Sequence, residues 1–408
     1  MRRREVLESM GALGWPGRGG FGLAQPQPDL GNIHETIEWI SRQPARGLSF
    51  LDSRWKSVEE WKKVARPVYR RLLSYHPKPA PLSAKVLSRE QRDGFTLESV
   101  RIAATQGYDI PGWLLIPAGA QAKRPGVIAI HCHGGCYVWG HEKILSAPGE
   151  AEWATQYRER AYGRPYTEFL ARRGFVVLVT DGFYFGARRL KVEELDATVS
   201  PSYLQEPLKR IRSLDRGTTA WYRAIDRACS EFENLVAKTI FTAGATWPGI
   251  LAWDDMRAVD YLMSRPEVDP KRIGCLGLSI GGMRTAHLIA ADARIKAACV
   301  IGWMTAFNTQ LRKHLRHHTW MIYVPGLYGQ MDFPDAAGMM APGALMVQQC
   351  SRDALYPMQG MKESVAKLEA VYRKAGVPER FRGVFYDVPH SFTPPMQEDA
   401  FVWLEKWL

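Results

Sequence analysis

The sequence predicts an α/β fold: a mostly parallel, eight-stranded sheet with helices on both faces. Three observations predict it. Six runs are apolar on nearly every residue, at 126–130, 175–180, 273–278, 297–301, 344–349 and 383–386, and helix-like stretches such as 253–264 and 362–375 lie between them. Parallel strands covered on both faces read this way. Two further β-like segments, 96–104 and 110–116, flank Thr105-Gln106-Gly107-Tyr108-Asp109 and read as a hairpin. Finally, Gly277-Leu278-Ser279-Ile280-Gly281-Gly282 stands between the apolar run at 273 and a helix-like run that begins at Met283.

Taken from the N-terminus, residues 1–29 read as a signal and linker. Met1-Arg2-Arg3-Arg4, a mildly apolar stretch and Gly22-Leu23-Ala24-Gln25 resemble a twin-arginine export signal cleaved after Ala24. The alternative is a basic tail on a cytoplasmic protein. Residues 30–90 form a helical extension packed on the main domain. Within it Trp55, Val58, Trp61, Val64 and Val68 recur at helical spacing, and Pro77, Pro79 and Pro81 close the segment. Residues 91–408 form the main domain. Inside that domain 186–250 is too long for a simple crossover, and its helical sequence reads as a cap beside the site.

The bulk properties exclude several classes. At 408 residues and 46% apolar content the chain buries a large core. No apolar run approaches the ~20 residues of a membrane span, so no stable membrane insertion is expected. The formal charge of +12 is spread among acidic residues, which reads as a solvated surface and not as a nucleic-acid footprint. The six cysteines, Cys132, Cys136, Cys229, Cys275, Cys299 and Cys350, fit no zinc or C-x-x-C spacing. No metal, cofactor or disulfide framework is expected.

Chemistry enters at Ser279. A serine between glycines at a strand-to-helix junction is the G-x-S-x-G nucleophile elbow, where a tight turn leaves no space for side chains two residues to either side. A serine alone is a poor nucleophile; it needs a base, a group to orient the base, and donors for the oxyanion. The chain order on this fold is nucleophile, acid, histidine. Of ten histidines, only His390 lies after the last apolar strand and before the last helix-like run, 398–408. Asp353 follows the strand at 344–349 and is the expected acid, with Asp332, Asp335 and Asp387 as alternatives. The expected oxyanion donors are the backbone amide of Ile280 and that of Gly135 or Cys136, in the loop His131-Cys132-His133-Gly134-Gly135-Cys136-Tyr137.

These residues resemble the dienelactone hydrolase and acetyl xylan esterase-like branch of the α/β-hydrolases. The likeness rests on His131-Cys132-His133-Gly134-Gly135 with Gly140-His141-Glu142-Lys143, on Asp181-Gly182-Phe183-Tyr184-Phe185-Gly186, on 253–262, on 268–274 leading into the elbow, and on Asp353 and His390. It covers roughly 35 to 408. Dienelactone hydrolases proper carry a cysteine where Ser279 stands. The resemblance therefore implies a serine carboxylesterase cutting short-acyl esters, such as those of acetylated carbohydrates, through Ser279, His390 and Asp353. Its partner would be a small-molecule or carbohydrate ester. The alternatives are a serine peptidase of the prolyl oligopeptidase type, for which no propeller repeat exists here, and a non-catalytic binding protein on a hydrolase fold. Oligomeric state is left open.

Overall fold

A computed structural model describes residues 27–408 except 44–45, 106, 120–121 and 197–201. The signal-like segment, up to residue 26, lies outside the described residues. The strands are β1 (Lys85–Arg92), β2 (Phe95–Thr105), β3 (Tyr108–Pro117), β4 (Arg124–Ile130), β5 (Val176–Thr180), β6 (Val268–Leu278), β7 (Ala297–Ile301), β8 (Ala344–Cys350) and β9 (Phe381–Tyr386). The helices are α1 (His34–Arg42), α2 (Val58–Leu73), α3 (Glu152–Tyr162), α4 (Tyr166–Arg172), α5 (Ser202–Arg212), α6 (Thr219–Thr242), α7 (Trp247–Ser264), α8 (Ile280–Ala291), α9 (Phe333–Gly338), α10 (Met358–Lys374) and α11 (Pro394–Trp407).

All nine strands form one sheet in the order β1-β2-β3-β5-β4-β6-β7-β8-β9. The first three pair antiparallel, β3 pairs antiparallel with β5, and β5 through β9 are parallel. The sheet has one strand more than the eight expected. The addition is β1, which is exposed or half-buried along its whole length and pairs only with β2. Its sequence, KVLSREQR, carries no apolar alternation because neither face is covered. Charged residues on such an edge also discourage pairing with a foreign strand.

Each strand of the parallel region sends alternate side chains to opposite faces. Ile128 and Ile130 of β4 join a core with α2, α7, α8 and α10, whereas Val127 and Ala129 join a second core with α3, α4 and α11. The first core takes in Trp61, Ala65 and Tyr69 of α2, so this N-terminal helix is built into the molecule. Ser57 caps α2 by accepting the Glu60 N–H at 3.1 Å. Thr246 performs the same service for α7 through the Gly249 N–H at 3.0 Å. Its hydroxyl also donates to the Leu73 carbonyl at 2.6 Å, which fastens the start of α7 to the end of α2.

The strand order reverses direction at β4, which lies between β5 and β6. In open α/β sheets the crevice at such a switch point, outside the strands' carboxyl ends, is where ligands bind. Here Ile130 of β4 is in register with Gly277 of β6, and Leu278 with Ile301 of β7. The glycine loop after β4 and the serine after β6 therefore emerge side by side.

Candidate active site

Ser279 is the residue between β6 and α8. Its backbone adopts φ 61°, ψ −121°, a left-handed conformation that a non-glycine residue holds only when its surroundings impose it. The surroundings here are tight. A Cβ on Gly277 would come within 2.5 Å of the Gly281 carbonyl carbon, and one on Gly281 within 2.3 Å of the Ile130 oxygen. The Ser279 N–H donates to Ile301 O at 2.9 Å, and its own carbonyl accepts the Met283 N–H at 2.9 Å, the first bond of α8. Ser279 itself is 8% exposed, at a helix N-terminus that favours negative charge.

His390 follows β9. Its Nδ1 lies 2.6 Å from Asp353 Oδ2, and Asp353 Oδ1 accepts the Leu355 N–H at 2.9 Å. The Asp353 side chain is 1% exposed and that of His390 24%. Gly302, φ +54°, lies beside the His390 ring; a Cβ there would make ordinary contact with the ring at 3.5 Å but press on Leu278 Cδ1 at 3.0 Å. The alternative acids are occupied elsewhere. Asp332 and Asp335 form the capping box of α9, and Asp387 pairs with Arg352 at the surface.

Ser279, Ile280, Asp353 and His390 line one cavity of about 770 Å³. The loop after β4 forms part of its wall through His133, Gly134 and Gly135; Cys136 is not among the lining residues. Within that loop the Gly135 N–H donates to His133 Nδ1 at 3.0 Å, and the Cys136 N–H to the His133 carbonyl at 3.2 Å. Burial, reinforced by the Lys143 charge, holds His133 down at about 3, so the ring stays neutral and free to accept. Burial pushes the Cys136 thiol up to about 12, which keeps it protonated near neutral pH.

Residues outside the triad and the loop after β4 close the cavity. Glu233 of α6 faces it and accepts Tyr137 OH at 2.7 Å and the Trp320 N–H at 2.8 Å, together with the Thr319 hydroxyl. One turn-pair earlier, Asp226 accepts the Tyr137 N–H at 2.5 Å and the Val138 N–H at 3.3 Å. The signal was present: two acids seven residues apart fall on the same helix face as the buried Ile225 and Cys229. His318, held down to about 4 by burial, also lines the cavity.

Among the described residues one group could hold a metal ion: His141, Glu142 and Asp181, whose ligand atoms lie within 4.8 Å of one another. Asp181 is already engaged by the backbone N–H groups of His141 and Ala187, each at 2.8 Å, and by the His141 ring. These bonds tie the loops after β4 and β5 together, and none of the three residues lines the cavity that holds Ser279.

A doubly wound sheet with a strained serine at the β6–α8 turn defines the α/β-hydrolase fold, and this chain has it. Known proteins agree. The chain is similar to "Putative hydrolase YtaP" of Bacillus subtilis (strain 168), 24% identical over 339 residues, which span 83% of this chain and 97% of that protein. Among solved structures it is similar to a putative acetyl xylan esterase from Bacteroides fragilis, with a TM-score of 0.64 and 15% identity over 86% of this chain and 81% of the other. It is also similar to the glucuronoyl esterase from Solibacter usitatus, with a TM-score of 0.59 and 16% identity over 88% and 96%. No family model matches the chain. Among the described residues no helix is long and apolar enough to cross a membrane.

Proposed function

We propose that the protein is a serine carboxylesterase. The observation that carries this reading is the conjunction in one cavity of Ser279, strained at its elbow, with the His390–Asp353 pair at 2.6 Å. In this reading Ser279 Oγ attacks the ester carbonyl carbon while His390 Nε2 takes its proton. Asp353 holds Nδ1–H and stabilises the imidazolium. The Ile280 N–H and a donor from the loop after β4, Gly135 or Cys136 on the sequence reading, receive the negative oxygen. The protonated His390 then gives its proton to the leaving alcohol. Water, deprotonated by the same histidine, releases the acid from Ser279.

The substrate class is a short-acyl ester, with acetylated carbohydrate as the natural candidate. Support comes from the similar folds of proteins described as a putative acetyl xylan esterase and a glucuronoyl esterase, and from a cavity of about 770 Å³, a volume usual for small-molecule sites. The paired arginines at the N-terminus support export. Labelling with a fluorophosphonate probe tests the chemistry: the wild type reacts and Ser279→Ala does not. Equal labelling of the two would refute it. Hydrolysis of 4-nitrophenyl esters from acetyl to dodecanoyl, with acetate release from acetylated xylan, tests the substrate. A preference for long chains contradicts the short-acyl assignment.

A further inference from the structure

Lys143 is almost fully buried, at 1% exposure, and its hydrogen bonds among the described residues all go to backbone carbonyls, none to a carboxylate. A buried ammonium without a counter-ion is costly, so what satisfies it is informative. Its three N–H donors go to three backbone carbonyls of one loop: Cys132 at 3.0 Å, His133 at 2.8 Å and Cys136 at 2.6 Å. The Nζ also lies 4.6 Å from the centre of the Phe185 ring. This loop is the one that follows β4 and walls the cavity beside Ser279.

The direction of those carbonyls fixes the direction of the amides. A trans peptide is planar, with C=O and the following N–H pointing opposite ways. The Cys132 and His133 carbonyls turn toward Lys143, so the N–H groups of His133 and Gly134 turn away from it. Both residues line the cavity, and among the described residues neither amide has an acceptor. The amides of Gly135 and Cys136 are already spent on His133. Gly134 also has no room for a side chain, since a Cβ would fall 2.0 Å from the Tyr157 hydroxyl.

We propose that Lys143 is a positioning residue for acyl transfer: its ammonium holds the loop so that the His133 and Gly134 amides, and not those of Gly135 and Cys136, share the oxyanion with Ile280. This rests on the esterase reading and sharpens it. The cation acts in two ways. It fixes the peptides before substrate arrives, and by drawing on the carbonyl oxygens it makes the N–H at the far end of each amide a stronger donor. Asp226 lies within electrostatic range of the ammonium but hydrogen-bonds the Tyr137 and Val138 amides and makes no ion pair with it.

The test pairs Lys143→Met, which keeps the stem and removes the charge, with the wild type on 4-nitrophenyl acetate. The expected result is a fall in kcat of about 100-fold, the size of losing one oxyanion donor, with KM changed less than about 3-fold. Affinity for a trifluoromethyl ketone, which binds Ser279 as a charged hemiketal, falls by a similar factor. A merely structural role would lower the unfolding temperature and leave kcat intact in the folded protein, and that outcome overturns the proposal. Should Lys143→Met fail to fold, the wild type still decides. In a crystal structure phosphonylated on Ser279, the phosphonyl oxygen is expected within about 3.2 Å of the Ile280 nitrogen and of His133 or Gly134 nitrogen. Contact with Gly135 or Cys136 in their place overturns the assignment. A wild type that neither hydrolyses nor labels sinks the esterase reading itself; an active wild type with an equally active Lys143→Met sinks this proposal alone.

Discussion

Arg284 of α8 and Asp255 of α7 form a two-point ion pair in the protein interior. Nε lies 3.0 Å from Oδ2 and Nη2 2.6 Å from Oδ1, and neither side chain is more than 1% exposed. The pair fixes the helix that carries the Ser279 elbow at its N-terminus. Removing one partner strands a charge away from water, which typically costs about 3–5 kcal/mol. Asp255→Ala is therefore expected to lose that much stability in urea unfolding. The double variant Asp255→Leu/Arg284→Met, with no stranded charge, should recover most of it. A single variant as stable as the wild type would show that the pair does not hold α8.

The elbow glycines differ from those of the loop after β4. At Gly277 and Gly281 an added methyl meets backbone atoms that cannot swing aside. Gly281→Ala is expected to unfold at a much lower temperature and to lose fluorophosphonate labelling. At Gly135 the φ of +63° is unfavourable for alanine, but nothing lies within 4 Å of the new Cβ. Gly135→Ala should fold, at a cost of about 1–2 kcal/mol for the left-handed backbone. Thermal unfolding of the two variants side by side separates the steric from the conformational penalty.

Two aspartates near His390 are expected to behave oppositely. Asp353→Asn leaves the shape intact but offers His390 Nδ1 an amide, so kcat should fall by about 10⁴-fold. Asp387 pairs with Arg352 where both side chains are mostly exposed. Such pairs contribute little, and Asp387→Asn should keep kcat within about 2-fold. Steady-state rates with one acetyl ester decide both.

His287 gives a pH signature. Burial holds its pKa down at about 3, while the unfolded value is near 6.5. The unfolded chain therefore takes up a proton that the folded one refuses as pH falls below about 6.5. The stability tied to this group is complete above that pH and is lost on the way down toward pH 3. Compared with His287→Phe, the wild type is expected to lose stability more steeply below pH 6.5, approaching about 1.4 kcal/mol per pH unit. Parallel pH profiles for the two proteins would show that His287 is already protonated in the folded state.

The parallel strands were legible because burial on both faces leaves a continuous apolar run: the expected span 297–301 is the observed β7, and 344–349 falls short of β8 by one residue. Strand β1 was not, because an uncovered edge needs no apolar pattern and the strand is paired through the ladder to β2. At the site, Ser279, Asp353 and His390 stood out because each lies just past a strand end, a position that sequence periodicity marks. The partners of the loop after β4 could not be found that way. Asp226 bonds backbone amides almost ninety residues away and Lys143 bonds backbone carbonyls of the loop, and a backbone carbonyl or amide has no letter in the sequence; Glu233 meets the loop through the Tyr137 hydroxyl, a pairing across almost a hundred residues. The choice among the loop's amides is likewise a matter of peptide orientation, which His133-Gly134-Gly135-Cys136 does not spell.

The two acids of α6 bear on how such a protein changes over time. Because Asp226 and Glu233 hold Tyr137, a swing of α6 away from the body would strip hydrogen bonds from the same loop that walls the serine. Opening the mouth by moving α6 would therefore cost those bonds. Exchanging this inserted helix for another to widen the range of molecules admitted would also loosen the wall beside Ser279, so breadth and turnover cannot be tuned one at a time. A successful graft would have to bring its own carboxylates for Tyr137.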